Sequence, residues 1–210
     1  MSDFDAATLR RFVELFADRI GERRDELTQL DSAIGDADHG INMDRGFTAV
    51  RGKLGVLDGA DLGAMAKGIG MTLISTVGGA SGPLYGTFFL RLATAFDDRA
   101  SATQDELGRA LRAGLDGVRQ RGKAELDDKT MVDAMSPAVD AYEAASGDGL
   151  GAALAAAATA AAEGRDRVTP LVARKGRASY LGERAANHQD PGATSTTILF
   201  ESLRDAVAAG

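Results

Sequence analysis

Along most of this 210-residue chain, apolar residues recur at the spacing of one face of an α-helix. In the stretch from residue 4 to residue 28, the residues in this pattern are Phe4, Leu9, Phe12, Val13, Phe16 and Ile20. Similar patterns cover residues 42–54, 107–118 and 131–145, and no segment makes a convincing strand. The sequence therefore predicts an all-α fold of about eight helices, packed as a bundle in a single domain over residues 1–210.

Composition narrows the range of partners and compartments. The formal net charge of −7 argues against nonspecific binding to nucleic acid or to an anionic membrane surface. The absence of cysteine excludes a disulfide framework and a zinc–thiolate site. The longest apolar stretch, residues 152–162, is far shorter than the ~20 residues of a membrane span, and the N-terminus does not have the pattern of a secretory signal. We therefore expect a soluble, cytoplasmic protein.

The most unusual stretch is LDSAIGDADHGINMDRGF, residues 30–47. Asp31, Asp36 and Asp38 fall within eight positions, at a spacing that does not fit one helical face. Carboxylates crowded in this way repel one another unless they share a cation, and Mg²⁺ combines one or two carboxylates with waters and substrate phosphates. The pattern favours a Mg²⁺–phosphate site on a turn between two helices. An ordinary turn is the alternative, because Asp, Gly and Asn are common turn residues for local reasons.

The residues after the aspartates bear on this choice. An EF-hand is a poor fit, because nothing after Asp38 supplies the alternating ligands and the closing Glu. His39 and Asn42 stand instead at the start of the next helical pattern, and helix N-termini attract phosphate. These two residues favour the phosphate site over the simple turn.

Common nucleotide-binding loops are missing from the sequence. Residues 147–152 (GDGLGA) match the dinucleotide pattern G-x-G-x-x-A, but helical residues rather than a strand precede them. Lys53 and Lys123 each follow glycine without the Ser or Thr that completes a Walker A motif. The segment VGGASGP, residues 77–83, is typical of a helix break, and its small residues would also let a backbone approach an anion.

A second unusual segment, residues 174–195, concentrates cations in an otherwise acidic chain. Its first part, RKGRASYLGER, is typical of a solvated basic face, and the alternative is a flap that lies over phosphates. The DPG turn that follows would then close on the rest of a nucleotide. His188 fits a turn or a helix cap better than a catalytic role.

Together these segments resemble the ADP-binding L subunits of the bacterial dihydroxyacetone kinases, the DhaL family. The resemblance covers residues 30–47, 71–89, 121–131 and 174–195, in the order of the family. It implies an up-and-down barrel of antiparallel helices, with two Mg²⁺ ions and the diphosphate of ADP or ATP at one end.

The resemblance also implies a set of site residues by position. The implied metal ligands are Asp31, Asp36 and Asp38. The implied nucleotide contacts are His39, Gly40, Ile41, Asn42, Ala80, Ser81, Gly122, Met131, Arg177, Asp190, Pro191 and Gly192. No residue of this chain need act as a nucleophile, and Arg177 is the candidate to neutralise the transferred phosphoryl group.

The implied activity is phosphoryl transfer from Mg-bound ATP to dihydroxyacetone held on a separate K subunit. A phosphoenolpyruvate-driven M subunit would rephosphorylate the bound ADP. Three alternatives stay open: a subunit that exchanges ATP, a kinase for another small ketose such as erythrulose, and an ADP-loaded partner of a transcription regulator. A homodimer is also left open.

Overall fold

The computed structural model describes residues 4–57 and 59–210, so residues 1–3 of the predicted domain lie outside the described part. The α-helices of that part are α1 Ala6–Glu22, α2 Arg24–Ile34, α3 His39–Leu54, α4 Leu62–Thr76, α5 Ser81–Phe96, α6 Gln104–Gly122, α7 Met131–Ala144, α8 Leu150–Val168 and α9 Pro191–Ala208. Short 3-10 helices cover Gly55–Leu57, Ser146–Asp148 and Arg177–Ala185. Strands β1 (Phe4–Asp5) and β2 (Ser101–Ala102) form one small antiparallel pair.

Eight of these helices form a closed ring. Helix α1 packs on α3, each helix from α3 to α9 packs on the next one, and α9 returns to α1. Neighbours run antiparallel: a Cβ on Gly63 would meet the backbone of Asp97, and one on Gly70 would meet that of Gly86. Helix α2 lies outside this ring and packs mainly on α3, with further contacts to α9 and to the 3-10 helix Arg177–Ala185. This arrangement confirms the predicted all-α, up-and-down barrel.

The alternating direction of the helices decides where the connections lie. The connections that follow α2, α4, α6 and α8 all fall at one end of the barrel, which we call the site end. The connections that follow α3, α5 and α7 fall at the opposite end, called the far end, where β1 pairs with β2. Residues distant in sequence therefore meet at the site end.

Apolar side chains from all nine helices fill one continuous core. Aromatic rings lie at its centre: Phe16 and Phe47 meet edge to face with centroids 4.6 Å apart, and Phe88 meets Phe89 at 5.4 Å. Each fully buried Phe contributes roughly 1.5–3 kcal/mol of transfer free energy. Among the described residues, no helix is both long enough and apolar enough to cross a membrane.

The N-terminal region differs from the sequence pattern. Phe4 lies in β1 opposite Ala102, and the helix that follows ends at Glu22. After Arg23 a second helix begins, and Asp31 lies in its last turn rather than in a loop. The apolar spacing continues through this break with Leu27 and Ile34, so periodicity alone does not reveal it. Strands of two residues are likewise too short to show alternation.

Candidate nucleotide and metal site

The four connections at the site end enclose a cleft of about 180 Å³. It is lined by Asp31, Ile34, Asp36, Asp38, His39, Gly78, Gly79, Ala80, Ser81, Leu84, Tyr85, Lys129, Thr130, Met131, Lys175, Gly176, Arg177, Ala178, Asp190, Pro191 and Gly192. A second cleft of about 320 Å³ adjoins it and shares Ala80, Leu84, Thr130, Met131, Lys175 and Gly176. Of the residues that the structure describes, carboxylates line the first cleft only, whereas Pro83, Val118 and Val132 give the second cleft an apolar lining.

Three aspartates form an acidic cluster in the first cleft. One carboxylate oxygen from each of Asp31, Asp36 and Asp38 lies within 4.8 Å of the others. Asp31 is buried at the end of α2, whereas Asp36 is exposed on the connection and Asp38 is half-buried before α3. Like charges at this separation repel, and a hard divalent cation bound by oxygen ligands relieves the repulsion. The donor set therefore fits Mg²⁺.

The carboxylate of Asp31 has two separate roles in this geometry. Its Oδ2 accepts hydrogen bonds from the backbone N–H groups of Asp38 at 2.8 Å and His39 at 3.1 Å. These bonds hold the turn between α2 and α3 and occupy one oxygen of the carboxylate, so that Oδ1 is the oxygen left for a cation. A Cβ at Gly35 would lie 2.0 Å from that Oδ1, so this position accepts only glycine without displacing the carboxylate. Gly35 thus keeps one oxygen of Asp31 free to bind a cation.

Two helices begin at the cleft without a side-chain cap. Neither Asp38, before α3, nor Ala80, before α5, accepts a hydrogen bond through its side chain from the first turn of its helix. In α3 only the first N–H group, that of His39, is taken by Asp31 from the end of α2. The first N–H groups of a helix have no intrahelical partner and carry partial positive charge. The small residues Gly78 and Gly79 allow close approach to the start of α5. Both helix N-termini can therefore bind phosphate oxygens.

A buried polar network links three helices behind the cleft. His39 Nδ1 lies 3.1 Å from Ser81 Oγ, and His39 Nε2 lies 2.9 Å from Ser195 Oγ. The hydroxyl of Tyr85 lies 2.7 Å from the same Ser195 Oγ. Burial lowers the pKa of His39 to about 4, so its imidazole is neutral at pH 7 and offers one donor and one acceptor. The network fixes the Ser81 hydroxyl at the edge of the cleft.

The start of α9 forms another wall. Asp190 caps this helix, accepting a hydrogen bond from the backbone N–H of Ala193 at 2.7 Å, and Pro191 is the first helical residue. Burial raises the pKa of Asp190 to about 7. Next to it, a Cβ at Gly192 would lie 3.5 Å from the backbone nitrogen of Met131, so the starts of α7 and α9 nearly touch.

The basic segment lies across the mouth of the cleft. Arg177 Nε lies 2.8 Å from Asp36 Oδ2, although the Arg177 side chain is still 65% exposed. Lys175 and Gly176 line both clefts beside it. The segment therefore has the position expected of the flap over phosphates rather than of a remote solvated face.

The structure brings most of the predicted site residues together, but not all of them. Gly122 lines only the second, apolar cleft. Gly40, Ile41 and Asn42 line neither cleft. Gly40 is buried where α3 crosses α2, since its Cβ would lie 2.0 Å from the carbonyl oxygen of Arg24, and Ile41 is 51% exposed outside the cleft. Asn42 is buried and accepts a hydrogen bond from the Arg45 guanidinium at 2.7 Å.

Sequence reasoning did not identify several residues of the site. Tyr85, Lys129 and Thr130 line the first cleft, and Ser195 supports it through His39. Tyr85 and Ser195 lie 110 positions apart in sequence. No local pattern marks such a contact. The only local signal is the Thr130–Asp133 capping box at the start of α7.

Comparisons with known proteins agree with this geometry. The DAK2 domain family matches residues 33–205. The chain is 51% identical to "PEP-dependent dihydroxyacetone kinase, ADP-binding subunit DhaL" of Escherichia coli K12 over 179 residues, which cover 84% of this chain and 85% of that protein. It is 41% identical to a Listeria innocua protein with the corresponding name, over 95% of this chain and 96% of the relative.

Solved structures show the same fold. The crystal structure of the dihydroxyacetone kinase of C. freundii aligns with a TM-score of 0.74 at 27% identity, over 98% of this chain and 36% of that longer chain. The complex of the C. freundii kinase with AMP-PNP and Mg²⁺ aligns with the same TM-score at 25% identity. The chain therefore belongs to the DAK2 domain family. Within that family it belongs with the DhaL subunits.

Proposed function

We propose that this chain is the ADP-binding subunit of a phosphoenolpyruvate-dependent dihydroxyacetone kinase. In this role it presents the terminal phosphoryl group of Mg-bound ATP to dihydroxyacetone held on a separate K subunit. The observation that carries the proposal is the trio of aspartate oxygens within 4.8 Å, set among helix N-termini. The identity to the DhaL proteins of Escherichia coli and Listeria innocua supports it.

Each part of the cleft has a matching part of the nucleotide. Asp31, Asp36 and Asp38 would hold two Mg²⁺ ions, which when bound neutralise charge on the phosphate oxygens. The N–H groups at the starts of α3 and α5, with the Ser81 hydroxyl, would bind those oxygens directly. The adjoining apolar cleft, which includes Met131, would take the base.

The chain's own residues supply positioning and charge rather than a covalent step. Phosphoryl transfer depends mainly on alignment and on neutralisation of the charge that spreads over the equatorial oxygens. Arg177, exposed at the mouth and 2.8 Å from Asp36, is placed to neutralise charge on the transferred group. The acceptor hydroxyl belongs to the sugar on the other subunit, so this chain needs no nucleophile.

The route by which ADP is recharged forms part of the proposal. Relatives carry the descriptions "PEP-dependent" in Escherichia coli and "PTS-dependent" in Lactococcus lactis. We expect ADP to stay bound as a coenzyme and to be rephosphorylated by an M subunit. A homodimer and an ADP-loaded complex with a transcription regulator are further proposals, and a pull-down that recovers only the K and M subunits would count against the regulator.

Mass spectrometry of the purified protein, native and then denatured, tests the proposal without added nucleotide. Retained ADP with two Mg²⁺ ions would support the coenzyme form. An empty protein that binds Mg-ATP reversibly would support a subunit that exchanges nucleotide. A protein that binds neither ADP nor ATP when Mg²⁺ is supplied would contradict the assignment of the acidic cluster.

A second candidate substrate has its own support. The "L-erythrulose 1-kinase" of Mycolicibacterium smegmatis is 33% identical over 195 residues, which make up 34% of that longer protein. In our proposal the sugar lies on the partner subunit, so this chain would serve either ketose. An assay of the reconstituted subunits with dihydroxyacetone and with erythrulose separates the two substrates.

A further inference from the structure

Lys129 is a buried lysine whose bonds are all directed at the backbone. It is 1% exposed and adopts a left-handed conformation with φ +64°, which non-glycine residues rarely adopt. Its Nζ donates to the carbonyl oxygens of Thr169 at 2.8 Å, Leu171 at 2.8 Å and Ala185 at 2.6 Å. An ammonium has three N–H donors, so all of them are used. Although Lys129 lines the cleft, it keeps no donor for a phosphate.

The three carbonyls belong to one segment, residues 169–186, which we call the strap. Thr169 directly follows the last residue of α8, and Ala185 is the last residue of the 3-10 helix. Carbonyls at helix C-termini lack intrahelical partners and carry partial negative charge. The Lys129 ammonium therefore neutralises two helix ends at once and joins the two ends of the strap to the start of α7.

The strap carries the cations that reach the acidic cluster. Lys175 and Arg177 lie between the two anchored ends, and Arg177 contacts Asp36. The strap has other attachments as well. The backbone N–H of Arg174 donates to the Asp128 carbonyl at 3.0 Å, and three alanines with the partly buried Leu181 pack around Ile34. This small cluster buries little apolar area, whereas hydrogen bonds from an ammonium are among the stronger contacts in a protein.

We propose that Lys129 is a positioning residue that holds the strap over the cleft and thereby sets how slowly a bound nucleotide leaves. The part that concerns the nucleotide depends on the proposed function, whereas the part that concerns the strap does not. Without the ammonium, three carbonyls lose their shared partner, and the strap opens locally while the barrel stays folded.

The first test measures the strap without any nucleotide. Trypsin cleaves after Arg174, Lys175, Arg177 and Arg184 when the strap opens. We expect Lys129→Met to be cleaved there at least tenfold faster than the wild type. Lys123→Met is the matched control, because Lys123 is exposed in the same connection and also has a positive φ of 51°. Equal cleavage of Lys129→Met and the wild type would overturn the proposal.

Chemical rescue separates the ammonium from general packing. The chain contains no cysteine, so in Lys129→Cys a single thiol can be alkylated with 2-bromoethylamine in denaturant before refolding. The product carries an ammonium at the length of lysine, and a neutral alkylating reagent provides the comparison. We expect only the ammonium product to recover slow cleavage. Equal cleavage of the two products would show that the charge does not hold the strap.

The nucleotide readout uses the release of a fluorescent ADP analogue in the presence of Mg²⁺. We expect Lys129→Met to release it about tenfold faster, and to raise the concentration of added ADP that gives half-maximal activity, with little change in kcat. An unchanged release rate in a variant with an open strap would overturn the positioning role. If the wild type binds no ADP at all, the proposed function fails, while the cleavage and rescue results still decide whether Lys129 holds the strap.

A measurement on the wild type covers the case in which the variants do not fold. Reductive methylation followed by mass spectrometry reports when the Lys129 amine becomes accessible. We expect Lys129 to react at least tenfold faster than core amides exchange through global unfolding, because only the strap must open. Reaction at the rate of global unfolding would overturn the proposal.

Discussion

The two ends of the barrel differ in which helix N-termini have a side-chain cap. At the far end, α1, α4 and α6 begin with side-chain caps from Asp5, Asp61 and Thr103, the last within a capping box. At the site end, α3 and α5 begin without such caps, whereas α7 and α9 begin with caps from Thr130 and Asp190. Helix α8 is the exception at the far end, since it follows Gly149. At the cleft, the fold itself caps α7 and α9 but leaves N–H groups at the starts of α3 and α5 for a ligand.

Two aspartates that perform the same capping role make the contrast quantitative. Asp5 at the far end is exposed, and its hydrogen bond from Thr8 lowers the pKa of its carboxyl. Asp190 at the site end accepts a similar bond, but burial raises the pKa of its carboxyl to about 7. The same residue in the same local motif is thus stabilised as an anion at one end and destabilised at the other. Only its tertiary surroundings differ.

The largest expected effect comes from removing a carboxylate of the acidic cluster. Asp36→Ala should weaken Mg-ADP binding by at least ~1,000-fold, about 4 kcal/mol, while the fold survives because Asp36 is exposed. Asp98→Ala, an exposed acid at the far end, is the control and should bind normally. Calorimetry with Mg-ADP checks both variants. Unchanged affinity in Asp36→Ala would refute the metal assignment.

The buried cap predicts a dependence of stability on pH. Between the unfolded pKa of about 3.9 and the folded pKa of about 7, native Asp190 holds a proton that the unfolded chain has lost. The free energy of unfolding therefore falls as pH rises through this window, by up to about 4 kcal/mol. Asp190→Asn keeps a capping residue and should remove this loss. The free energy of unfolding of the variant should therefore exceed that of the wild type by an amount that grows from pH 4 to pH 8.

Denaturant unfolding in EDTA at several pH values measures this difference. Asp5→Asn is the matched control, because the pKa of Asp5 is shifted in the opposite direction and its contribution to stability depends on pH with the opposite sign. Because the folded pKa of Asp5 is lowered, its contribution is present above the unfolded pKa and is lost as pH falls through the folded pKa. If the free energies of unfolding of Asp190→Asn and the wild type differ by the same amount at every pH from 4 to 8, Asp190 does not titrate in this range.

A smaller effect is expected from one added methyl group. Gly35→Ala would place a Cβ 2.0 Å from Asp31 Oδ1 and must displace that carboxylate, so Mg-ADP affinity should fall by roughly 10-fold or more, at least ~1.4 kcal/mol. Gly52→Ala is the far-end counterpart, where the Cβ meets nothing within 4 Å in the last turn of α3. It should bind Mg-ADP normally, and its free energy of unfolding should be about 0.5–1 kcal/mol higher than that of the wild type. Calorimetry and chemical denaturation report both values, and normal binding by Gly35→Ala would contradict the orientation given to Asp31.

The smallest effect concerns a far-end cap. Asp61→Ala removes the hydrogen bond that the Ala64 N–H donates at 2.6 Å, which should lower the free energy of unfolding by about 1 kcal/mol. Because the cap is remote from the cleft, Mg-ADP affinity should stay unchanged. A loss of affinity without a loss of stability would contradict the division of the molecule into two ends.

The features that the sequence predicted correctly are local ones. Helical periodicity and the acidic cluster each depend on residues close together in the chain. The same reliance on proximity did not show which way each residue faces. Gly40, Ile41 and Asn42 follow His39 directly, but successive residues of a helix point about 100° apart. Their side-chain positions therefore face α2, solvent and Arg45, while their contacts to a nucleotide stay a prediction.

The sequence by itself determined the class of fold and singled out the three carboxylates of the acidic cluster. Apolar spacing and charge repulsion act within a few residues, and both can be deduced without knowing the fold. Only the tertiary structure decided that Lys129 meets carbonyls 40–56 positions away and that Asp190 is buried enough to hold a proton near neutral pH. These properties depend on desolvation and on contacts made where the chain returns four times to one end of the barrel, and no local pattern encodes them.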